Sequence, residues 1–169
     1  LKGETDMLGA LEEVESFGEF AKRNNAVAST DVKSFEHLVC TEQLSRRLGF
    51  RVGEELIRVV RVRSLNGNAR QVDHGYFLAS IAKGLTPEIA ADSIYGYLEH
   101  KRGVKVMASR RTVSVELAND EDCSYLDLGK YNCVAVMESQ SYTSDGILFE
   151  VTHTRTHPEI FHYRVNSKR

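Results

Sequence analysis

Tryptophan is absent from the 169 residues and proline occurs only twice, which argues against a linker-rich or collagen-like chain. Cysteine is scarce as well. Cys40, Cys123 and Cys133 are odd in number and form no C-x-x-C pair, so neither a disulfide framework nor a zinc site is expected. Reduced, buried thiols in a cytoplasmic protein are the simplest expectation. No excess of positive charge exists: 22 basic residues stand against 24 acidic ones, for a net charge of -2. A domain that grips phosphate backbones by itself carries a clear basic excess, which disfavours direct nucleic-acid binding by these residues. No stretch approaches the ~20 apolar residues that span a bilayer, and the acidic first twenty residues do not read as a signal peptide. No membrane partner is expected. The start at Leu1 rather than methionine suggests a piece of a longer protein.

What is present is an ordinary globular profile, 41% apolar and 27% charged, sized for one domain or one domain plus a short arm. Residues 17–23 carry helical spacing, with Ser16 placed as a cap. Residues 28–35 read as a strand. Thr41 caps a short helix that places Leu44 and Leu48 on one face and stops at Gly49. Residues 56–65 and 70–78 are extended runs on either side of Asn66-Gly67, a strong hairpin signal. Thr86-Pro87 opens one short helix and Ser93 a second, which ends at Gly103. Residues 104–117 form a long strand, Asn119 caps a helix, and residues 131–142 and 147–156 make a second hairpin across Ser144-Asp145-Gly146. Residues 160–165 add a last short strand. Long hairpins with inserted helices argue for an α+β fold with an antiparallel sheet, not a doubly wound one.

Arg61 and Arg63 are the first candidates for chemistry. Two residues apart on a strand, they point to one face, and two guanidinium forks suit a phosphate or a carboxylate. The competing interpretation is a solvated face with arginines paired to neighbouring acids. Ser93 stands at a helix start, where it either caps or donates to an anion, and Tyr95 follows it. Ser16, before Phe17, carries the same ambiguity. Asp73 and Glu150 are candidate acceptors for sugar hydroxyls. A two-residue turn at Asn66-Gly67 sets Asp73 opposite Val60, away from Arg61; a three-residue loop sets it opposite Arg61. Arg155 alternates onto the other face from Glu150 unless a bulge intervenes. His153 and His157, four apart on an extended segment, stand roughly 13 Å apart, too far to share one metal. No nucleophile elbow, P-loop or zinc-protease motif occurs. Neither a catalytic site, a metal nor a cofactor is expected.

The order of these features, from Arg61-Val62-Arg63 through Asn66-Gly67, Ser93-Ile94-Tyr95 and Gly103 to the late Glu150, resembles the effector-binding UTRA domain of GntR-type transcriptional regulators of the HutC subfamily. The likeness runs from about residue 14 to residue 165. The stretches 73–77, 92–98 and 126–131 are most similar to the repressors of trehalose operons. The resemblance implies a chorismate-lyase-like fold, a homodimer, and a sensor of a sugar phosphate, foremost trehalose 6-phosphate. It implies that Arg61, Arg63, Ser93 and Tyr95 hold the phosphate with Ser16 and Phe17, while Asp73 and Glu150 bind sugar hydroxyls. Arg155 and Thr156 stand where many relatives carry tyrosines, which fits a different or larger sugar and makes Arg155 a further candidate contact. On this basis residues 1–13 are an interdomain arm and residues 14–169 the sensor. A winged helix-turn-helix outside this chain then contacts operator DNA. A lyase of the same fold, acting on chorismate or a similar aromatic carboxylate, is the alternative.

Overall fold

The computed structural model describes residues 21–161. The arm at residues 1–13, together with Ser16 and Phe17, therefore lies outside the described residues. Six strands, β1 (Ala28–Val39), β2 (Glu55–Leu65), β3 (Asn68–Leu78), β4 (Val106–Leu117), β5 (Cys133–Thr143) and β6 (Leu148–Thr156), form one sheet in the order β1-β2-β3-β6-β5-β4. All five pairings are antiparallel. Residues 21–23 are helical, and the further helices among the described residues are α1 (Glu42–Leu48), α2 (Pro87–Asp92), α3 (Ile94–His100) and α4 (Asp120–Tyr125). The architecture is the expected α+β one.

Local chemistry explains the boundaries. Thr41 caps α1 by accepting from the Leu44 N–H, and Gly49 ends it at φ 90°, a conformation that glycine adopts without a Cβ penalty. Asn66 and Gly67 both take positive φ, 50° and 80°, as a type I′ hairpin turn requires. Asn119 and Asp122 form a reciprocal capping box at α4, satisfying two N–H groups that the helix leaves open.

The central hairpins, β2–β3 and β5–β6, meet at the β3–β6 pairing, so the innermost strands are covered on both faces. On one face Val60, Val62, Val72, Val134 and Val136 pack beneath Leu126 and Leu128. On the other, Ile57, Val59 and Phe77 join the cluster that includes Ala90, Ile94 and Leu98 of α2 and α3. Burial of such side chains contributes roughly 1.5–3 kcal/mol each. That second face carries the site described below.

Three expectations need correction. Ile160, expected to open a last strand over residues 160–165, instead closes a 3-10 turn, Pro158–Ile160, and residues 162–165 lie outside the described residues. Only Cys40 is a buried thiol; Cys133 is half-buried and Cys123 exposed. The hairpin turn has two residues, yet Asp73 stands opposite Arg61, because the ladder shifts between Arg63 and Ser64 and leaves Arg70 as an extra residue. That bulge gives the register a longer loop would have given.

Gly75 marks the tightest spot in β3. A Cβ there would lie 2.6 Å from the Phe77 ring, and Phe77 is fully buried. Gly75→Ala is expected to lower stability by about 1–3 kcal/mol through overpacking, read as a lower urea midpoint at an unchanged slope.

Candidate functional site

Strand alternation puts Arg61, Arg63, Gln71, Asp73, Glu150, Thr152, Thr154, Ser139, Ser141 and Arg111 on one face of the sheet, since ladder partners share a face. A polar strip thus crosses the sheet from β2 to β4, partly roofed by α2 and α3. Arg61 and Asp73 are buried, each with only 5% of its side chain exposed.

The Arg61 guanidinium forms a close ion pair with Asp73 Oδ2 and donates to the Ala90 carbonyl at 3.3 Å. That carbonyl belongs to the last turn of α2, where helix carbonyls lack a helical partner. Arg63 donates to the same Asp73 oxygen at 3.1 Å, and Thr154 Oγ1 donates to Oδ1 at 3.1 Å. The Arg61 Nε is buried without an acceptor. Two guanidiniums therefore converge on a single carboxylate, a geometry that suits any small tetrahedral or planar anion.

A second cluster adjoins the first. Tyr95, on α3, donates a short hydrogen bond to Glu150 and lies 3.0 Å from Ser141 Oγ. Ser93 caps α3, its Oγ accepting from the Gly96 N–H at 3.0 Å, so the simple capping role anticipated for it is present. Arg111 on β4 is half-buried, and its charge acts on Tyr95 and Glu150. Next to it Ser109 and Ser139 share a hydroxyl–hydroxyl bond of 2.8 Å.

The electrostatics follow from burial. Desolvation pushes Asp73 upwards, but Arg61 and Arg63 outweigh it and hold the carboxyl at about 2. Desolvation, then the like charge of Arg61, lowers Arg63 to about 10. Glu150 is raised, chiefly by burial and against the pull of the Tyr95 and Ser141 hydrogen bonds. The Tyr95 phenol is raised by burial and by the Glu150 charge, so it keeps its proton and donates. Three guanidiniums face two carboxylates, a local positive excess in a chain whose net charge is -2.

Of the residues singled out from sequence, Arg61, Arg63, Asp73, Tyr95 and Glu150 come together, with Ser93 at the start of the helix that carries Tyr95. Arg155 does not. The β6 ladder runs without a bulge from Glu150 to Thr156, so Arg155 projects from the opposite face. There it binds Asp122 at 2.9 Å and forms a close pair with Glu116, and the hydrogen bond to Asp122 raises its pKa first of all. Its assignment as a sugar contact is therefore corrected to an anchor of α4. Sequence reasoning missed Arg111, Ser139, Ser141 and Thr154. Their common face follows from strand parity once the register is known, and nothing in their spacing announces it. Among the described residues no group of three or more His, Cys, Asp or Glu could hold a metal, and no helix is long and apolar enough to cross a membrane.

Comparison with known proteins bears on this geometry. The family model described as the UTRA domain matches residues 23–162. The chain is 28% identical over 148 residues to the HTH-type transcriptional regulator TreR of Bacillus subtilis strain 168, covering 88% of this chain and 62% of TreR. The chain thus spans less than two thirds of that relative. It superposes on the B. subtilis trehalose repressor (TreR) effector binding domain with a TM-score of 0.74 and 27% identity, covering 83% of this chain and 98% of that one. The transcriptional regulator YydK of B. subtilis has the same fold, with a TM-score of 0.80 at 23% identity over 99% of this chain and 69% of that one.

Asp73→Asn tests the electrostatics directly. The Asp73 pKa is lowered from 3.8 to about 2, so its contribution is complete above the unfolded value and disappears as pH falls through the folded one. Wild type is expected to exceed the variant by roughly 2 kcal/mol more at pH 6 than at pH 2, read from urea unfolding across that range.

Proposed function

Because the chain belongs to the UTRA domain family, we propose that it is the effector-sensing part of a GntR-type transcriptional repressor and that its effector is a sugar phosphate, foremost trehalose 6-phosphate. The single observation that carries the reading is the convergence of Arg61 and Arg63 on Asp73 beneath α2. The protein's own carboxylate, Asp73, occupies the place between the guanidiniums that an anion would take. A dianionic phosphate attracts both guanidiniums more strongly than a carboxylate does. It takes up the Arg61 Nε, which is buried without an acceptor. Asp73 then turns towards the ligand's hydroxyls, which supply the hydrogen bonds that a buried carboxylate needs.

Glu150 completes the sugar side. Tyr95 and Ser141 orient its carboxylate, which accepts from a ligand hydroxyl in the proposed complex. Ser93 contributes through its own hydroxyl proton, since its Oγ already accepts from Gly96. Ser16 and Phe17 belong to the proposed site as well, on the strength of the family resemblance alone. Ligand and operator DNA act in opposition by linkage. The ligand favours one arrangement of a homodimer, and DNA held by a separate helix-turn-helix segment favours another. A coupling of 1–3 kcal/mol, the ordinary range, changes operator occupancy about 5- to 150-fold. This work belongs in the cytoplasm, where the operator is. The relatives named above are regulators, and this does not favour the lyase alternative.

Thermal shift separates these readings. Trehalose 6-phosphate at ~100 times its Kd is expected to add about 2.7 kcal/mol of stability, with a smaller gain from glucosamine 6-phosphate and none from chorismate. A shift with chorismate alone would overturn the sensor reading. Arg61→Ala and Arg63→Ala are each expected to weaken trehalose 6-phosphate at least about 30-fold in calorimetric titration, with the far-ultraviolet dichroism unchanged. Normal binding by either variant would refute the phosphate assignment.

A further inference from the structure

Strand β4 is the sheet edge on the side away from β2. Along it every residue is exposed except Val106, Ser109 and Arg111. Val113 and Val115, which share Arg111's face, are 39% and 71% exposed. Here an arginine is withdrawn from water while neighbouring valines remain in it, against the usual ordering of these side chains. Arg111 is half-buried, and its charge acts on Tyr95 and Glu150 at the end of the polar strip. Ser139 stands directly opposite it in the ladder, and the Ser109–Ser139 hydroxyl pair lies alongside.

The strip therefore has two cationic ends. From β2, which carries Arg61 and Arg63, to β4, which carries Arg111, there are four strand spacings, or about 19 Å of backbone separation. Between them stand the acids Asp73 and Glu150 and the hydroxyls of Thr154 and Ser141, all acceptors or weak donors. An elongated, hydroxyl-rich molecule with one strongly anionic end matches this order. A single phosphorylated ring held at Arg61 and Arg63 is too short to cross four strand spacings, so contact with Arg111 as well requires a longer molecule.

We infer that Arg111, with the Ser109–Ser139 hydroxyl pair beside it, determines specificity by binding the second ring of a phosphorylated disaccharide. The inference rests on the sugar-phosphate reading given above and adds a length requirement to it. Planar guanidinium donors suit vicinal hydroxyls, which accept two parallel hydrogen bonds. Burial lowers the Arg111 pKa while Glu150 and Tyr95 counteract it, so the side chain stays protonated for that task.

Calorimetric titration of wild type, Arg111→Ala and Arg111→Lys with trehalose 6-phosphate and with glucose 6-phosphate tests it. Arg111→Ala is expected to weaken trehalose 6-phosphate about tenfold or more while changing glucose 6-phosphate by less than about twofold. Arg111→Lys, which keeps the charge and loses the planar fork, is expected to fall between. An equal loss for both ligands would show that Arg111 acts on the phosphate or on the fold and would overturn the inference; so would no loss for either. Binding of neither ligand by wild type would refute the sugar-phosphate reading itself, a result distinct from a failure confined to Arg111.

Discussion

Two guanidiniums, on Arg61 and Arg63, are held side by side in a buried place by one carboxylate, Asp73. Like charges this close repel, and each loses hydration on burial. The acid between them makes the arrangement tolerable, and Thr154 and the Ala90 carbonyl take up part of the remaining hydrogen-bonding capacity. Strands β2, β3 and β6 and helix α2 are thereby tied to a single charged knot. Buried ion clusters are seldom the most stabilising way to fill a core, since apolar residues of similar volume often do as well or better. In the proposed function the cluster is a preorganised seat for an anion, which accounts for what packing alone does not.

The adjoining cluster differs in kind. Glu150 and Tyr95 share a hydrogen bond in which burial disfavours the charged form of each. That pair joins α3 to β6, just as the Arg61–Ala90 contact joins α2 to β2. Both short helices over the site are therefore held to the sheet through polar groups that a ligand would contact. In the proposed function, exchanging those contacts for ligand contacts gives a route from the site to the two helices.

Much of this was legible in the sequence for definite reasons. Asn66-Gly67 encodes its turn in the positive φ of both residues, Thr41 and Asn119 are strong caps, and Arg61-Val62-Arg63 lies on a strand whose alternation fixes a common face. The position of Asp73 was not legible, because it depends on the extra residue at Arg70, and bulges leave no clear mark in a single sequence. Arg155 shows the complementary limit. Alternation alone placed it on the far face, where it pairs with Asp122 and Glu116, and the expectation drawn from family likeness gave way to that parity. Arg111 went unremarked because its significance comes from β4 lying in the same sheet as β2, and this depends on the order in which the strands assemble.

The central claim is that a phosphate replaces Asp73 as the partner of Arg61 and Arg63. Nitrogen–proton correlation spectra of the arginine side chains test it most directly, with signals assigned through Arg61→Lys and Arg63→Lys. Titration with trehalose 6-phosphate is expected to move the Arg61 Nε–H proton downfield as it gains an acceptor, and to shift the Arg63 signals with it. Saturation of the protein with both sets of signals unmoved would contradict the account, since the ligand would then be held somewhere else.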